Sequence, residues 1–226
     1  MLYQAVSPVL IDEVVTNAAM KERMWESLFL DSETFDHFRK QRAVEAHLTA
    51  TLNKATQDYD KAYFPRATAV EWNLLHSLPG GQKQAPHRDY NFPMNFPHLD
   101  QDRMPRGLIV AMEANTVLHS YGWNHIVAEE RNEHVVHLGK GDILLFRGDF
   151  IHARAEYKTC NTRVHGYLNL PGTKRQRNST DRVPITNHVL LQPSSFARLY
   201  CERTYSSADS RRKHMDRLHN HRVNRT

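Results

Sequence analysis

The chain of 226 residues has little cysteine: Cys160 and Cys201 are the two in the sequence. A disulfide scaffold is excluded, and the count suits a reducing compartment. No stretch approaches the roughly 18 consecutive apolar residues that mark a transmembrane helix. The first ten residues, Met1 to Leu10, lack a basic segment followed by an apolar core, so no secretory leader is expected. These absences predict an intracellular protein, cytoplasmic or nuclear, without a membrane partner. Asn178-Ser179-Thr180 spells a glycosylation acceptor, which without a secretory route is a chance match. No internal repeat is present. What remains is ordinary for a soluble globular chain: 40% hydrophobic and 24% charged residues, in a length that buries a real core.

Charge is unevenly placed. From Lys174 to the end there are 12 Lys+Arg against 4 Asp+Glu, a balance of +8, whereas residues 1–173 hold 18 against 21, a balance of −3. A slightly acidic body therefore carries a basic tail. Such a tail is either a solvated extension or a contact for nucleic acid or another polyanion.

Ser7-Pro8 reads as a helix N-cap followed by proline at the first helical position. Leu10, Val14, Val15, Ala18, Met24, Trp25 and Leu28 then recur at helical spacing and predict a helix from Val9 to Leu30. Phe35, Phe38, Val44, Leu48 and Leu52 predict a second, from Ser32 to about Asp58. Strand character starts at Ala67: Thr68, Val70, Trp72 and Leu74 alternate with Ala69, Glu71 and Asn73. Pro86 to Pro105 is a proline-rich loop with Tyr90, Phe92 and Phe96, long enough to suggest function. Further strands are predicted at 107–112, 116–120, 133–138, 143–146, 150–157 and 163–170, joined by turns such as Gly139-Lys140-Gly141-Asp142. Many short strands with close turns predict an antiparallel sandwich or barrel rather than a βαβ fold. Past Pro171-Gly172 the pattern dissolves into a polar linker from Lys174 to Arg182. The organisation expected is a helical support over 1–66, a β core over 67–173, and a basic tail over 174–226.

His87 and Asp89 are two apart in Pro86-His87-Arg88-Asp89-Tyr90. On an extended segment residues i and i+2 point to one side, so an imidazole and a carboxylate converge. His152, on an apolar strand after Arg147-Gly148-Asp149, is the best third ligand. Two histidines and one carboxylate on one face of a metal leave positions open, the arrangement of non-haem Fe(II) oxygenases. Alone, a His-x-Asp pair is a surface pair as readily as a ligand pair, and a strand histidine is most often a core residue. The ordered set, with Arg163 eleven positions beyond His152, is what turns the reading towards a metal. Arg147-Gly148-Asp149 itself reads as turn chemistry.

In this order His87, Asp89, His152 and Arg163 resemble the Fe(II)- and 2-oxoglutarate-dependent dioxygenases, over roughly residues 67–170. The resemblance implies a mostly β fold, a double-stranded β-helix (jelly-roll) barrel with N-terminal helices packed outside. It implies Fe(II) on His87, Asp89 and His152, with 2-oxoglutarate and O2 as cosubstrates. Arg163 then pairs with the distal carboxylate of 2-oxoglutarate, a task suited to a bidentate guanidinium. His165 shares its strand face and adds a second hydrogen bond there. The outcome expected is hydroxylation, or oxidative demethylation of a carbon on nitrogen, with release of succinate and CO2; the primary substrate is not legible.

Other positions are less specific. Asn73 is a hydrogen-bond donor to 2-oxoglutarate or a strand-end cap. Tyr90 and Asn91 line the substrate entrance or pack the loop. Arg154, two past His152, faces the cavity or water. The superfamily's nucleic-acid demethylases carry a second arginine about six positions past the cosubstrate arginine; here that position is Asn169. In the tail, Cys201, Tyr205, His214 and His219 resemble the second half of a C2H2 zinc finger, with twelve residues between Cys201 and His214. The first cysteine is absent and Arg211 stands where a core leucine is usual, so the tail is an incomplete finger or a basic helix. Two further functions stay open: a nucleic-acid binder acting through the tail with the barrel as scaffold, and a catalytically inactive metal-binding barrel.

Overall fold

A computed structural model of the chain describes residues 1–20, 24–29, 35–67, 69–90, 104–123, 127–170 and 181–187. All lie in one compact unit, Met1–Asn187. The zinc-finger-like stretch and Asn91 lie outside the described residues. The elements in chain order are α1 (Pro8–Met20), β1 (Glu26–Phe29), β2 (Phe35–Ala43), α2 (Ala46–Tyr63), β3 (Ala69–Ser77), β4 (His87–Arg88), β5 (Arg106–Ala111), β6 (Thr116–Ser120), β7 (Ala128–Glu129), β8 (His134–Leu138), β9 (Ile143–Arg147), β10 (His152–Arg154), β11 (Asn161–Asn169), β12 (Asp181–Arg182) and β13 (Ile185–Thr186).

Two antiparallel sheets carry the site. The major sheet runs β1-β2-β3-β11-β5-β9 and the minor sheet β12-β4-β10-β6-β8. From β3 onward the chain alternates between them: β3 and β5 lie in the major sheet, β4 and β6 in the minor, then β9 and β11 in the major and β10 in the minor. That alternation is the winding of a jelly roll.

Period-2 alternation sorts the side chains of the major sheet. Trp72, Leu74, Leu108, Val110, Val164 and Leu168 face outward and join Leu10, Ile11 and Val14 of α1 and Leu48 and Leu52 of α2 in one buried cluster. Each of those leucines contributes about 1.5–3 kcal/mol by leaving water. The opposite face points between the sheets, where Ile109, Ala111, Leu118, Leu138, Phe146 and Phe150 form a second apolar cluster. A third, Tyr121, Ala128, Ile151, Ala153 and Val183, covers the outer side of the minor sheet.

The Gly139–Asp142 turn is set chemically. Gly141 has φ +89°, and a Cβ there would meet the Val6 carbonyl oxygen at 2.9 Å. The Asp142 carboxylate accepts hydrogen bonds from the backbone N–H of Gly139 and of Gln4, both at 2.8 Å. Arg147 and Asp149 pair side chain to side chain at 3.0 and 2.8 Å across the β9–β10 turn. This tripeptide is turn chemistry, as its sequence suggested.

Three sequence expectations fail. The first helix ends at Met20 rather than Leu30, and Glu26–Phe29 is a strand. The second begins at Ala46 rather than Ser32, and Phe35–Ala43 is a strand paired with β3 from Arg39↔Ser77 to Ala43↔Asn73. The apolar spacing misleads because β2 buries Asp36, Arg39 and Arg42 and exposes Phe38. The end of the supposed linker, Asp181–Arg182, instead extends the minor sheet beside β4. No helix among the described residues is long and apolar enough to cross a membrane.

Candidate metal centre and its arginines

Strands β4 and β10 are antiparallel neighbours, and His87 and His152 are direct partners in that pairing. Their ring centroids are 4.5 Å apart. Asp89, two residues past His87, comes to the same side. One ligand atom from each of His87, Asp89 and His152 lies within 4.8 Å of the others, and all three residues are buried.

The imidazoles are oriented by the backbone. His87 Nδ1 lies 3.1 Å from the Ala85 carbonyl and His152 Nδ1 3.2 Å from the Phe150 carbonyl. A carbonyl oxygen only accepts, so each Nδ1 carries the proton and each Nε2 keeps a free lone pair, the tautomer a metal needs. Burial, then the neighbouring His152, pushes the His87 pKa down to about 3. Burial likewise lowers His152. Both rings are neutral donors at pH 7. Burial pushes the Asp89 carboxyl up, but the imidazoles of His165, His152 and His87 outweigh it and hold the group below the usual carboxylate range. Two neutral imidazoles and one carboxylate are a donor set suited to iron.

Strand β11 lies across from this cluster. Val164 and Leu168 point out to the helices, so Arg163, His165 and Tyr167 point in. His165 Nε2 is 3.3 Å from Asp89 Oδ2, and its ring stacks on Tyr167 at 4.1 Å. The structure thus puts His165 on the carboxylate of the cluster. Gly107 on β5 makes room: a Cβ there would lie 2.5 Å from the Phe146 ring and 3.3 Å from His165 Nε2.

Arg163 is 1% exposed, the most enclosed charged side chain among the described residues. Its Nη1 lies 3.4 Å from Ser77 Oγ, and its Nη2 has no hydrogen-bond partner among the described residues. A buried guanidinium donor without an acceptor is a site for an anion. Arg154 is buried beside it, on the same face of β10 as His152. Asn73 sits opposite His165 in the β3–β11 register, partly exposed, with its amide 3.5 Å from Glu71 Oε1. Tyr90 is buried, and its hydroxyl lies 3.3 Å from both Asn169 Oδ1 and the Arg106 carbonyl oxygen.

Two nearby residues escaped the sequence reading. Ser77 ends a strand with no motif to mark it. Arg39 falls within the second helix that apolar spacing predicts; only the β2–β3 register brings it level with Ser77, where it binds Asp36 and the Gln82 carbonyl.

No family model and no curated protein matches the sequence. Solved structures do match the fold. A prolyl-4-hydroxylase from Pseudomonas putida is similar at TM-score 0.55 and 12% identity, covering 75% of this chain and 91% of that one. The non-haem α-ketoglutarate-dependent epimerase SnoN of nogalamycin biosynthesis is similar at TM-score 0.56 and 12% identity, over 82% and 89%. HygX from Streptomyces hygroscopicus, solved with nickel and 2-oxoglutarate, is similar at TM-score 0.55 and 9% identity, over 78% and 84%. At these identities the likeness is one of fold: this chain shares the jelly roll of these three structures.

Proposed function

We propose that the chain is an Fe(II)- and 2-oxoglutarate-dependent dioxygenase that hydroxylates, or oxidatively demethylates, a substrate with release of succinate and CO2. The observation that carries this reading is the juxtaposition of His87, Asp89 and His152, inside one jelly roll, with a buried Arg163 whose Nη2 has no hydrogen-bond partner among the described residues. His87 Nε2, His152 Nε2 and the Asp89 carboxylate would hold the metal, and His165, with Nε2 3.3 Å from Asp89 Oδ2, would orient that carboxylate. Arg163, seated by Ser77, would take the distal carboxylate of 2-oxoglutarate and so orient its 2-oxo acid end towards the three ligands. Iron, when bound, supplies the oxygen chemistry; the protein supplies position, charge and exclusion of water. The apolar cluster around Phe146 and Phe150 closes one side of the site.

The test is binding of 2-oxoglutarate to anaerobic, Fe(II)-loaded protein by calorimetry, followed by succinate release in air. Arg163→Met should weaken 2-oxoglutarate binding by about 100-fold, the worth of a charge-assisted bidentate pair, and leave metal affinity within about two-fold. If wild-type protein binds metal but neither binds nor turns over 2-oxoglutarate, the chain is a metal-binding barrel of another kind and the proposal fails.

A further inference from the structure

Arg163 is not the only enclosed guanidinium with a spare donor. Arg154 is 9% exposed, and its Nη1 has no hydrogen-bond partner among the described residues. Its direction follows from the strand. Ala153 lies in the outer cluster of the minor sheet, so His152 and Arg154 on either side point the other way, between the sheets. Arg154 therefore shares the interior with the three candidate ligands and with Arg163.

Among the described residues no carboxylate accepts a hydrogen bond from Arg154 Nη1. Asp89 is gathered with His87 and His152, and its Oδ2 lies 3.3 Å from His165 Nε2. Arg39 uses its own donors on Asp36 and the Gln82 carbonyl, so Asp36 is taken as well. Removing a charge from water without a partner is costly, and such a group persists where it serves a ligand. Among these groups the charges also fail to cancel. Arg154 and Arg163 bring two positive charges and Asp89 one negative. A divalent metal adds two positive charges and 2-oxoglutarate two negative, which leaves one positive charge in a buried space.

We propose that Arg154 is a specificity-determining residue, forming beside Arg163 a second position for a carboxylate or similar oxyanion. The inference rests on the function proposed above. Two sources share this chemistry: the distal carboxylate of 2-oxoglutarate gripped by both arginines, or an acidic group on the primary substrate. The unbalanced charge favours the second.

The experiment compares full-length wild type, Arg154→Met and Arg154→Lys, each loaded with redox-silent Mn(II). Calorimetry reads the affinity for 2-oxoglutarate. Thermal melting reads the response of the Mn(II)–2-oxoglutarate complex to acetate and to inorganic phosphate. If the cosubstrate is the source, Arg154→Met binds 2-oxoglutarate at least about ten-fold more weakly, with Mn(II) affinity unchanged. If an acidic substrate is the source, 2-oxoglutarate affinity stays within about two-fold, and the stabilisation of the ternary complex by acetate or phosphate disappears in Arg154→Met and survives in Arg154→Lys. Without ligand, Arg154→Met should melt at or above wild type, because it removes an unpaired buried charge. A lower melting temperature in both variants would show a structural bond and overturn the proposal, as would Arg154→Met matching wild type in both ligand assays. Should wild type fail to bind 2-oxoglutarate, the proposed function falls alone: acetate and phosphate binding to the Mn(II) protein still reads Arg154.

Discussion

His87 and His152 face each other across the β4–β10 pairing, each with Nδ1 tied to the carbonyl two residues before it. The matched geometry turns the two Nε2 lone pairs to one side of the strand pair. A preorganised pair of this kind loses little entropy on binding, so most of the metal's affinity is retained.

The first prediction follows. His87→Ala or Asp89→Ala should each reduce Mn(II) or Fe(II) affinity by more than the roughly 10–100-fold typical of losing an outer partner of a ligand. Titration calorimetry under anaerobic conditions measures it. The melting temperature of the metal-free variants, read alongside, separates this loss from any general destabilisation by the truncated buried side chain. Unaltered metal affinity in either variant would place the metal elsewhere.

A second prediction concerns Gly107. It touches no candidate ligand, but a Cβ there would strike the Phe146 ring at 2.5 Å and approach His165 Nε2 at 3.3 Å. Phe146 in turn lies against the rings of His152 and His165, with centroids 5.4 and 5.7 Å away. Gly107→Ala should therefore displace the ring that backs two site histidines. Overpacking of this sort costs about 1–3 kcal/mol, and we expect metal affinity to fall by about ten-fold or more on top of that loss. The check is calorimetric metal affinity beside a urea unfolding curve. A variant that loses stability while its metal affinity stays at the wild-type value would show that the ring can move without disturbing the site.

These relationships were unequally legible in the sequence. The meeting of His87, Asp89 and His152 could be anticipated from local rules, since i and i+2 share a strand face and an apolar strand after a turn turns its histidine inward, whereas Arg163 was singled out by the family resemblance. Arg39 and Ser77 could not be anticipated, because their proximity is a register between β2 and β3, a non-local fact. The strands β1 and β2 were hidden for a different reason. Their apolar residues recur at three- and four-residue spacing, and β2 buries the charged Asp36, Arg39 and Arg42, so hydrophobic periodicity pointed to helix while ladder pairing decided for strand. Strand β12 is two residues long, and its place beside β4 is fixed by the Arg88–Asp181 ion pair at 2.6 Å, which no local pattern announces.

The third prediction is a pH dependence of the metal-free protein. The His87 pKa falls to about 3 when the chain folds, against about 6.5 unfolded, with burial the main cause. The unfolded chain then binds the extra proton first. Stability from this group is complete above about pH 6.5 and is lost as pH falls towards 3, an effect bounded at about 4–5 kcal/mol. His152 shifts in the same direction and adds to the slope. Urea midpoints at several pH values between 7 and 4 should decline steadily, and His87→Gln should flatten part of the decline. A wild-type midpoint that is constant across this range would contradict neutral, buried imidazoles.

The fourth prediction has the opposite sign and lies away from the site. Asp60, near the end of α2, is buried; Thr56 Oγ1 donates to its Oδ2 at 2.8 Å, while its Oδ1 has no hydrogen-bond partner among the described residues. Burial raises its pKa, and the Thr56 hydrogen bond offsets the rise only in part. A carboxyl with a raised folded pKa favours the fold while it is protonated in both states, and that advantage is lost as pH climbs through the folded value. At neutral pH the ionised group is therefore a liability. Asp60→Asn keeps an amide oxygen for Thr56 and removes the charge, so it should stabilise the protein by about 1 kcal/mol at pH 7. The gain should shrink as pH is lowered and Asp60 itself takes up its proton. Urea unfolding of both proteins at pH 7 and pH 5 measures the difference. A destabilised Asp60→Asn at pH 7 would mean that the carboxylate is held by a partner the fold needs, and a gain that does not depend on pH would mean that its charge is not the cause.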